Sequence, residues 1–207
     1  MSNILAIHSS LSGARSVSGR LVDETIAALR QAEPNSRVVV RDLGAAPVPH
    51  LDGDAISGIR GEPGDEAQVA ARALSEELVS ELKAADVLVI GAPMYNFGIP
   101  SSLKAWFDYV LHPGVTFNYG EGGPKGLLTG KRAIVILSRG GFFSDGPAKA
   151  MDSQEPHLRT LLWFMGITDV TFVRAERLAL GEQASAAALT SAANQIVQAV
   201  ETLKAAA

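Results

Sequence analysis

Five short apolar segments recur along the 207-residue chain, and each is rich in valine and isoleucine. None of them alternates cleanly between apolar and polar positions, which is typical of strands that are covered on both faces. The segments between them show helical spacing; in residues 103–110, for example, apolar side chains fall at i, i+3, i+4 and i+7. The predicted strands are Ile4 to His8, Arg37 to Arg41, Asp86 to Gly91, Ala133 to Ser138 and Val170 to Arg174.

Strands and helices alternate five times, which predicts an α/β fold in which helices cover both faces of a five-stranded parallel sheet, as a three-layer α/β/α sandwich. The common strand order of such a doubly wound sheet is 2-1-3-4-5. Because 207 residues suffice for one substantial core but not for two large domains, residues 1–207 are predicted to form a single domain. The last helix is expected to begin at a cap formed by Ser185.

The predicted strand order also indicates where a ligand binds. In such a sheet the ligand crevice lies at the carboxyl ends of strands 1 and 3, where the winding direction switches. The loops after His8, Gly91 and Leu137 are therefore expected to converge on one site. Two other connections, residues 42–66 and 111–130, are long and rich in glycine and proline, which favours irregular structure with a functional role.

The bulk composition excludes several classes of function. The net charge is -4 and no stripe of lysine and arginine is present, so nucleic acid is not an expected partner. The absence of cysteine excludes disulfides, thiolate metal sites and phosphatases that use a thiolate nucleophile. The amino terminus lacks the features of a secretory signal, and no apolar segment approaches the roughly 20 residues that span a bilayer. A cytoplasmic protein without a membrane partner is the expectation.

Motifs for two further kinds of site are missing from the sequence. The four histidines do not occur with HxxxH or HExxH spacing, so no metal site is expected. No GxSxG sequence occurs, which argues against a serine hydrolase with a nucleophile elbow.

The loop after the first strand is rich in serine. It contains Ser9, Ser10 and Ser12, and the next helix is expected to begin near Ser16. Unpaired N–H groups at a helix amino terminus, together with hydroxyl donors, can bind a phosphomonoester. The loop matches neither GxGxxG nor GxxxxGK[ST]. The alternative is that these serines only form the loop and cap the helix, and the side chain of Arg15 is expected to point to water rather than to a phosphate.

The loops after the third and fourth strands suit a flat ring. Residues 94–97 place large side chains on a loop, and residues 138–141 end in two glycines that allow close backbone approach. A planar heteroaromatic ring such as isoalloxazine needs apolar faces and donors along its polar edge, which Asn96 and neighbouring backbone groups supply. The alternatives are core packing for Met94 and Phe97 and a simple turn for Gly140 and Gly141.

Taken together, these segments resemble the bacterial FMN-dependent NAD(P)H azoreductases of the flavodoxin-like quinone reductase superfamily, over essentially the whole chain. Further matching segments are residues 114–117 and 166–169. The resemblance implies a flavodoxin-like fold and FMN as the prosthetic group. It assigns cofactor binding to Ser10, Ser16, Val17, Ser18, Met94, Tyr95, Asn96, Phe97, Ser138, Arg139, Gly140 and Gly141.

The resemblance also implies a homodimer with both active sites at the subunit interface. It places Tyr119 over the flavin and Leu161 in the substrate pocket, where some relatives carry phenylalanine; the alternative for Tyr119 is an exposed loop tyrosine. The implied reaction is ping-pong hydride transfer from NADH or NADPH to FMN and then to quinones or azo compounds, with no catalytic side chain. A flavodoxin-like electron carrier is the alternative function, although such carriers tend to be shorter and more acidic.

Overall fold

The structure is a computed structural model that describes residues 2–205. No helix among these residues has the length and apolarity needed to cross a bilayer. The strands are β1 (Asn3–His8), β2 (Arg37–Asp42), β3 (Val87–Pro93), β4 (Phe117–Gly120), β5 (Gly123–Gly126), β6 (Arg132–Ser138) and β7 (Asp169–Ala175). The α-helices are α1 (Val17–Ala32), α2 (Gly53–Arg60), α3 (Glu66–Ala84), α4 (Ser101–Val110), α5 (Glu155–Phe164) and α6 (Glu182–Ala205), with short 3-10 helices at Gly13–Arg15 and Pro147–Met151.

Five of the strands form one parallel sheet in the order β2-β1-β3-β6-β7. When only these five strands are counted, the order is 2-1-3-4-5, so the predicted order is confirmed. Each predicted strand lies within one or two residues of an observed one at either end. Because all five strands are parallel, their carboxyl ends share one edge of the sheet.

Helices flank the sheet, and alternate strand residues contact two separate apolar clusters. Leu5 and Ile7 of β1 belong to a cluster with residues of α2, α3, α4 and α5. Ile4 and Ala6 belong to the other cluster, with residues of α1 and α6. The central strands are therefore covered on both faces, as their composition indicates.

The expectation of cover on both faces is wrong for β2. Val39 is 45% exposed and Val40 is 56% exposed. The physical reason is position, because β2 is the last strand at its side of the sheet and pairs only with β1. The apolar run therefore identified the strand, and the predicted order placed it at an edge, but the composition of the run did not reveal that its valines are exposed.

The long connections are more regular than expected. Residues 42–66 contain α2, and residues 111–130 contain the β4–β5 hairpin. The cap predicted for the last helix is also wrong, since α6 begins at Glu182 and the Ser185 N–H donates to the Gly181 carbonyl. The segment is rich in alanine, which favours helix at every position and leaves the start of the helix poorly marked.

The β4–β5 hairpin is attached to the body of the protein through two glycines. A Cβ atom on Gly126 would lie 2.0 Å from the backbone nitrogen of Gly166. Gly166 has a φ of 94°, a conformation that other residues rarely adopt. Next to this contact, the Leu128 N–H donates to the Met165 carbonyl at 2.8 Å. Two backbones approach here more closely than any side chain would permit.

We expect Gly126→Ala to lower the free energy of unfolding by about 1–3 kcal/mol, because the new methyl group would overlap backbone atoms that cannot rotate away. Urea unfolding followed by circular dichroism measures this change. Gly120→Ala is the matched control, since a Cβ on that glycine of the same hairpin meets no atom within 4 Å. Equal stability of the two variants would contradict the proposed close approach.

Candidate functional site

Three loops meet at the carboxyl edge of the parallel sheet. The Ser9 hydroxyl donates to the Gly91 carbonyl at 2.6 Å and so joins the ends of β1 and β3. The Met94 N–H donates to the Ser138 carbonyl at 2.9 Å and joins the ends of β3 and β6. The structure thus brings together the loops after β1, β3 and β6, which the sequence analysis selected.

The serine-rich loop leads into the amino terminus of α1. Ser16 is the N-cap residue, and its Oγ accepts a hydrogen bond from the Gly19 N–H at 2.9 Å. The Ser16 and Ser18 hydroxyls lie 3.2 Å apart. Within residues 2–205, the N–H groups of Val17 and Ser18 donate no hydrogen bond, as is usual in the first turn of a helix. The loop therefore presents free donors at the positive end of a helix dipole.

An open cavity of about 580 Å³ borders the serine-rich loop. Ser10 and Ser16 line it together with Arg15 and Arg20, and Val40 of β2 lines another part. The Arg15 side chain is exposed, in agreement with the expectation that it points to water.

The loop after β3 is a tight turn with unusual backbone geometry. Tyr95 and Gly98 exchange two backbone hydrogen bonds of 3.1 Å. Between them, Asn96 has a φ of 48° and Phe97 a φ of 70°. Positive φ is uncommon for residues other than glycine, and a bulky residue in this region is strained. Phe97 is nevertheless 43% exposed, so burial of its side chain in the core does not explain the conformation.

Tyr95 connects this turn to the serine-rich loop. Its hydroxyl oxygen accepts a hydrogen bond from the Leu11 N–H at 3.1 Å and lies 3.4 Å from the Ser10 Oγ. One aromatic side chain thus holds the loops after β1 and β3 next to each other.

The loop after β6 uses its carbonyl groups and leaves donors free. The Gly140 and Gly141 carbonyls accept hydrogen bonds from the N–H groups of Ala179 and Arg177. In the part of the chain that the structure describes, the N–H groups of both glycines donate none, and the same holds for Asn96 and Phe97 in the facing loop. Two neighbouring loops thus carry four unpaired backbone donors at one edge of the sheet.

Arg139 is placed differently from its neighbours, because its guanidinium group is completely buried. Its Nε donates to the Gln154 Oε1 at 2.8 Å, its Nη2 to the Asp152 Oδ2 at 2.8 Å and its Nη1 to the Glu176 Oε1 at 3.0 Å. Glu176 also accepts hydrogen bonds from the Phe143 N–H and from the Ser144 N–H and hydroxyl group. The side chain is directed into the protein and not toward the open part of the site.

Sequence reasoning missed the three side chains that accept hydrogen bonds from Arg139, and Glu155, whose carboxylate lies 3.8 Å from the guanidinium group. Asp152 and Gln154 precede α5, and Glu176 follows β7, so no local motif connects them with the site. The available signal was indirect: an arginine that directly follows a predicted strand and precedes two glycines demands acidic partners if it is buried.

Within residues 2–205, no hydrogen bond or ring contact joins the two residues predicted to form the substrate pocket to the three loops. Tyr119 is 69% exposed, and its ring contacts Phe117 and Phe164. Leu161 is only 9% exposed and belongs to the apolar core. A different residue of α5, Phe164, contacts the ring of Tyr119.

No group of three or more histidine, aspartate and glutamate side chains within residues 2–205 is arranged to hold a metal ion. The acidic side chains near the site, Asp152 and Glu176, instead accept hydrogen bonds from other groups of the protein. Burial alone would raise the pKa of Glu176, but hydrogen bonds from Ser144, Phe143 and Arg139 outweigh burial and lower the pKa below its ordinary value of 4.5. The carboxylate of Glu176 is therefore held in its ionised form by the fold.

This lowered pKa predicts how stability depends on pH. As the pH falls below 4.5, the unfolded chain takes up a proton at Glu176 before the folded protein does, so the free energy of unfolding decreases. Glu176→Gln should be less stable than the wild type at pH 7, and the difference should shrink as the pH falls toward 4. Urea unfolding at several pH values measures this, with the exposed Glu121→Gln as control. A difference that stays constant with pH would contradict the prediction.

Comparison with known proteins places this geometry in a wider context. The chain is 54% identical over 202 residues to the FMN-dependent NADH:quinone oxidoreductase of Hyphomonas neptunium, covering 98% of this chain and 97% of the relative. It is 50% identical over 200 residues to the protein of the same name from Azotobacter vinelandii, covering 96% and 99%. A crystal structure of an FMN-dependent NADH-azoreductase from Bacillus anthracis in complex with FMN superposes with a TM-score of 0.87, at 27% identity and 98% and 99% coverage.

The family model described as "Flavodoxin-like fold" matches residues 2–200. The resemblance stated from the sequence motifs is thereby confirmed. The chain belongs to the flavodoxin-like family, together with the FMN-dependent NADH:quinone oxidoreductases that it matches over nearly its entire length.

Proposed function

We propose that this protein is an FMN-dependent NADH:quinone oxidoreductase that also reduces azo compounds. The observation that carries the proposal is the set of unpaired backbone N–H groups on three loops that meet at one edge of the sheet. Donors that the protein leaves free at a common edge are suited to a ligand with a phosphate at one end and a polar-edged ring at the other. The names of the relatives at 54% and 50% identity support the same function.

The serine-rich loop fits the phosphate end of FMN. Val17 and Ser18 offer N–H groups at the amino terminus of α1, and the hydroxyls of Ser10, Ser16 and Ser18 lie in the same loop. Ser16 and Ser18 are largely buried, so their hydroxyls are held in place by each other and by the helix. The helix dipole and the hydroxyl groups together favour a doubly charged phosphate.

The other two loops fit the ring. Met94 and Phe97 offer apolar surface, while the N–H groups of Asn96, Gly140 and Gly141 offer donors for the polar edge of the ring. Tyr95 and Ser138 support these groups through the contacts that join the loops. When bound, FMN supplies the redox chemistry, accepting electrons from a nicotinamide and passing them to a second substrate. The residues of this chain bind and orient the ring, and protons come from solvent.

The names of the relatives favour NADH as the electron donor and quinones as acceptors, and the name of the structural neighbour adds azo compounds. Use of NADPH stays a prediction. Stacking of flat acceptors on the ring explains why several classes of substrate are compatible with one site. An electron carrier is disfavoured, because the relatives are named as enzymes and the chain matches them over nearly their full length.

We further infer a single domain, since one family model spans residues 2–200, and a three-layer sandwich, since separate apolar clusters lie on the two faces of the sheet. A homodimer would complete the site. Exposed Tyr119 and Trp163 support it, because these large aromatic side chains lack cover within this chain. A cytoplasmic location stays a prediction.

Steady-state kinetics test the proposed function. Purified protein with FMN should oxidise NADH rapidly when benzoquinone is added, and should decolourise an azo dye under the same conditions. An electron carrier would show negligible turnover without a partner reductase. A protein that stays colourless after incubation with FMN would exclude both functions.

Besides its N–H group, we propose that the side-chain amide of Asn96 contacts the polar edge of the ring, and Asn96→Gly tests this contact without disturbing the turn. Glycine adopts the positive φ of Asn96 at no steric cost, so the backbone is preserved while the side-chain amide is lost. We expect FMN affinity to fall about fivefold, equivalent to one hydrogen bond of about 1 kcal/mol. Fluorescence titration of FMN measures the change, and Asn35→Gly, in the turn before β2, is the control. Unchanged affinity would remove the Asn96 side chain from the site.

A further inference from the structure

Gln154 is a fully buried polar residue to which the proposed chemistry assigns no role. It lies directly before α5, and its side-chain amide makes two hydrogen bonds. The Nε2 group donates to the Ala92 carbonyl of β3 at 2.8 Å, and the Oε1 atom accepts from the Arg139 Nε at 2.8 Å. One amide thus connects the end of β3 with the first residue after β6.

The connection continues through Arg139 to the glycine-rich loop. Arg139 binds Glu176, whose Oε1 atom also accepts hydrogen bonds from the N–H groups of Phe143 at 2.8 Å and Ser144 at 3.0 Å. The position of the loop after β6 is therefore fixed by a buried carboxylate, and the carboxylate is fixed by Arg139.

The two residues before Gln154 contact the loop after β3 and the first residue after β6. The Ser153 N–H donates to the Phe97 carbonyl at 3.0 Å and so holds the strained turn after β3. Asp152 accepts a hydrogen bond from Arg139 at 2.8 Å and another from the Gln154 N–H at 2.9 Å. Residues 152–154 therefore form a bridge behind the two loops that present free N–H groups.

The energetics of this bridge favour a role in geometry. Buried ion pairs contribute little net stability, because removing both charges from water offsets most of their attraction. Apolar residues of similar size would fill the same space with comparable stability. A hydrogen-bonded amide and guanidinium also fix the distance between the strands and loops that they join, since each hydrogen bond forms only within a few tenths of an ångström of its preferred length.

We propose that Gln154 is a positioning residue for the cofactor site. Its amide sets the distance between the free donors of Asn96 and Phe97 on one loop and those of Gly140 and Gly141 on the other. Gln154 is completely buried and so acts through Ala92 and Arg139 rather than on the cofactor itself. This inference rests on the proposed function, in which those four N–H groups face FMN.

Gln154→Leu tests the proposal, with Ser75→Ala as the matched control. Ser75 is also fully buried, and its hydroxyl donates to the Tyr109 carbonyl at 2.7 Å between α3 and α4. Both variants lose a buried hydrogen bond to a backbone carbonyl. Gln154→Glu is the second variant, because it keeps an acceptor for Arg139 while it replaces the donor to Ala92 by a carboxylate oxygen and adds a negative charge.

We expect Gln154→Leu to raise the dissociation constant for FMN at least tenfold and to change the visible circular dichroism of bound FMN. Gln154→Glu should show a smaller change of the same kind, and it serves as the test if Gln154→Leu does not fold. Ser75→Ala should lose stability in urea while its FMN affinity stays within twofold of the wild type. FMN affinity and dichroism equal to wild type in both Gln154 variants would overturn the proposal.

Amide resonances of the flavin-free protein separate this inference from the proposed function. In Gln154→Leu, or in Gln154→Glu if the first variant does not fold, the N–H signals of Asn96, Phe97, Gly140 and Gly141 should all shift. In Ser75→Ala they should not. If the wild type bound no FMN, the proposed function would fall, and these signals would still show whether Gln154 couples the loops. Shifts confined to one loop would overturn the coupling.

Discussion

A guanidinium group without exposed surface must be neutralised where it lies, and the neutralisation of Arg139 organises the edge of the sheet that carries the candidate site. Its partners come from the segment before α5 and from the end of β7. Glu176 in turn binds the backbone of the loop after β6, Gln154 binds the Ala92 carbonyl of β3, and Asp152 binds the N–H groups at the start of α5. To neutralise this one buried cation, the end of β6, the segment before α5 and the end of β7 must keep fixed positions relative to one another.

This arrangement leaves the loops free to turn their N–H groups outward. Backbone donors usually find acceptors inside a protein, but within residues 2–205 the N–H groups of Asn96, Phe97, Gly140 and Gly141 at this edge of the sheet do not. The turn at Asn96 and Phe97 keeps its positive φ because the Ser153 N–H donates to the Phe97 carbonyl and because Tyr95 and Gly98 exchange backbone hydrogen bonds. Strain of this kind persists only where the surroundings impose it, and it is concentrated at functional sites. The site is therefore organised before any ligand arrives, which lowers the entropic cost of binding.

The sequence allowed the strands, their order and the meeting of three loops at one edge to be predicted, because buried parallel strands are marked by short runs of valine and isoleucine and because fold topology decides which loop ends meet. It did not reveal how side chains share the space around those ends. Arg139 was assigned to the open site by resemblance, whereas its charge is satisfied by residues 13 to 37 positions away. Leu161 was assigned to the pocket wall, whereas Phe164, three positions along the same helix, contacts Tyr119. Such details depend on long-range packing that no local pattern encodes.

The outer strand β2 presents apolar residues to solvent. One side of this strand has no neighbour in the sheet, and Val39 and Val40 are exposed. An uncovered strand edge is a template for aggregation unless charge interrupts it. Here Arg37 and Arg41 flank three consecutive valines, and Arg41 is held against α3 by Glu77 and Glu81. Charged side chains at both ends of the valine run oppose the pairing of this edge with a further strand.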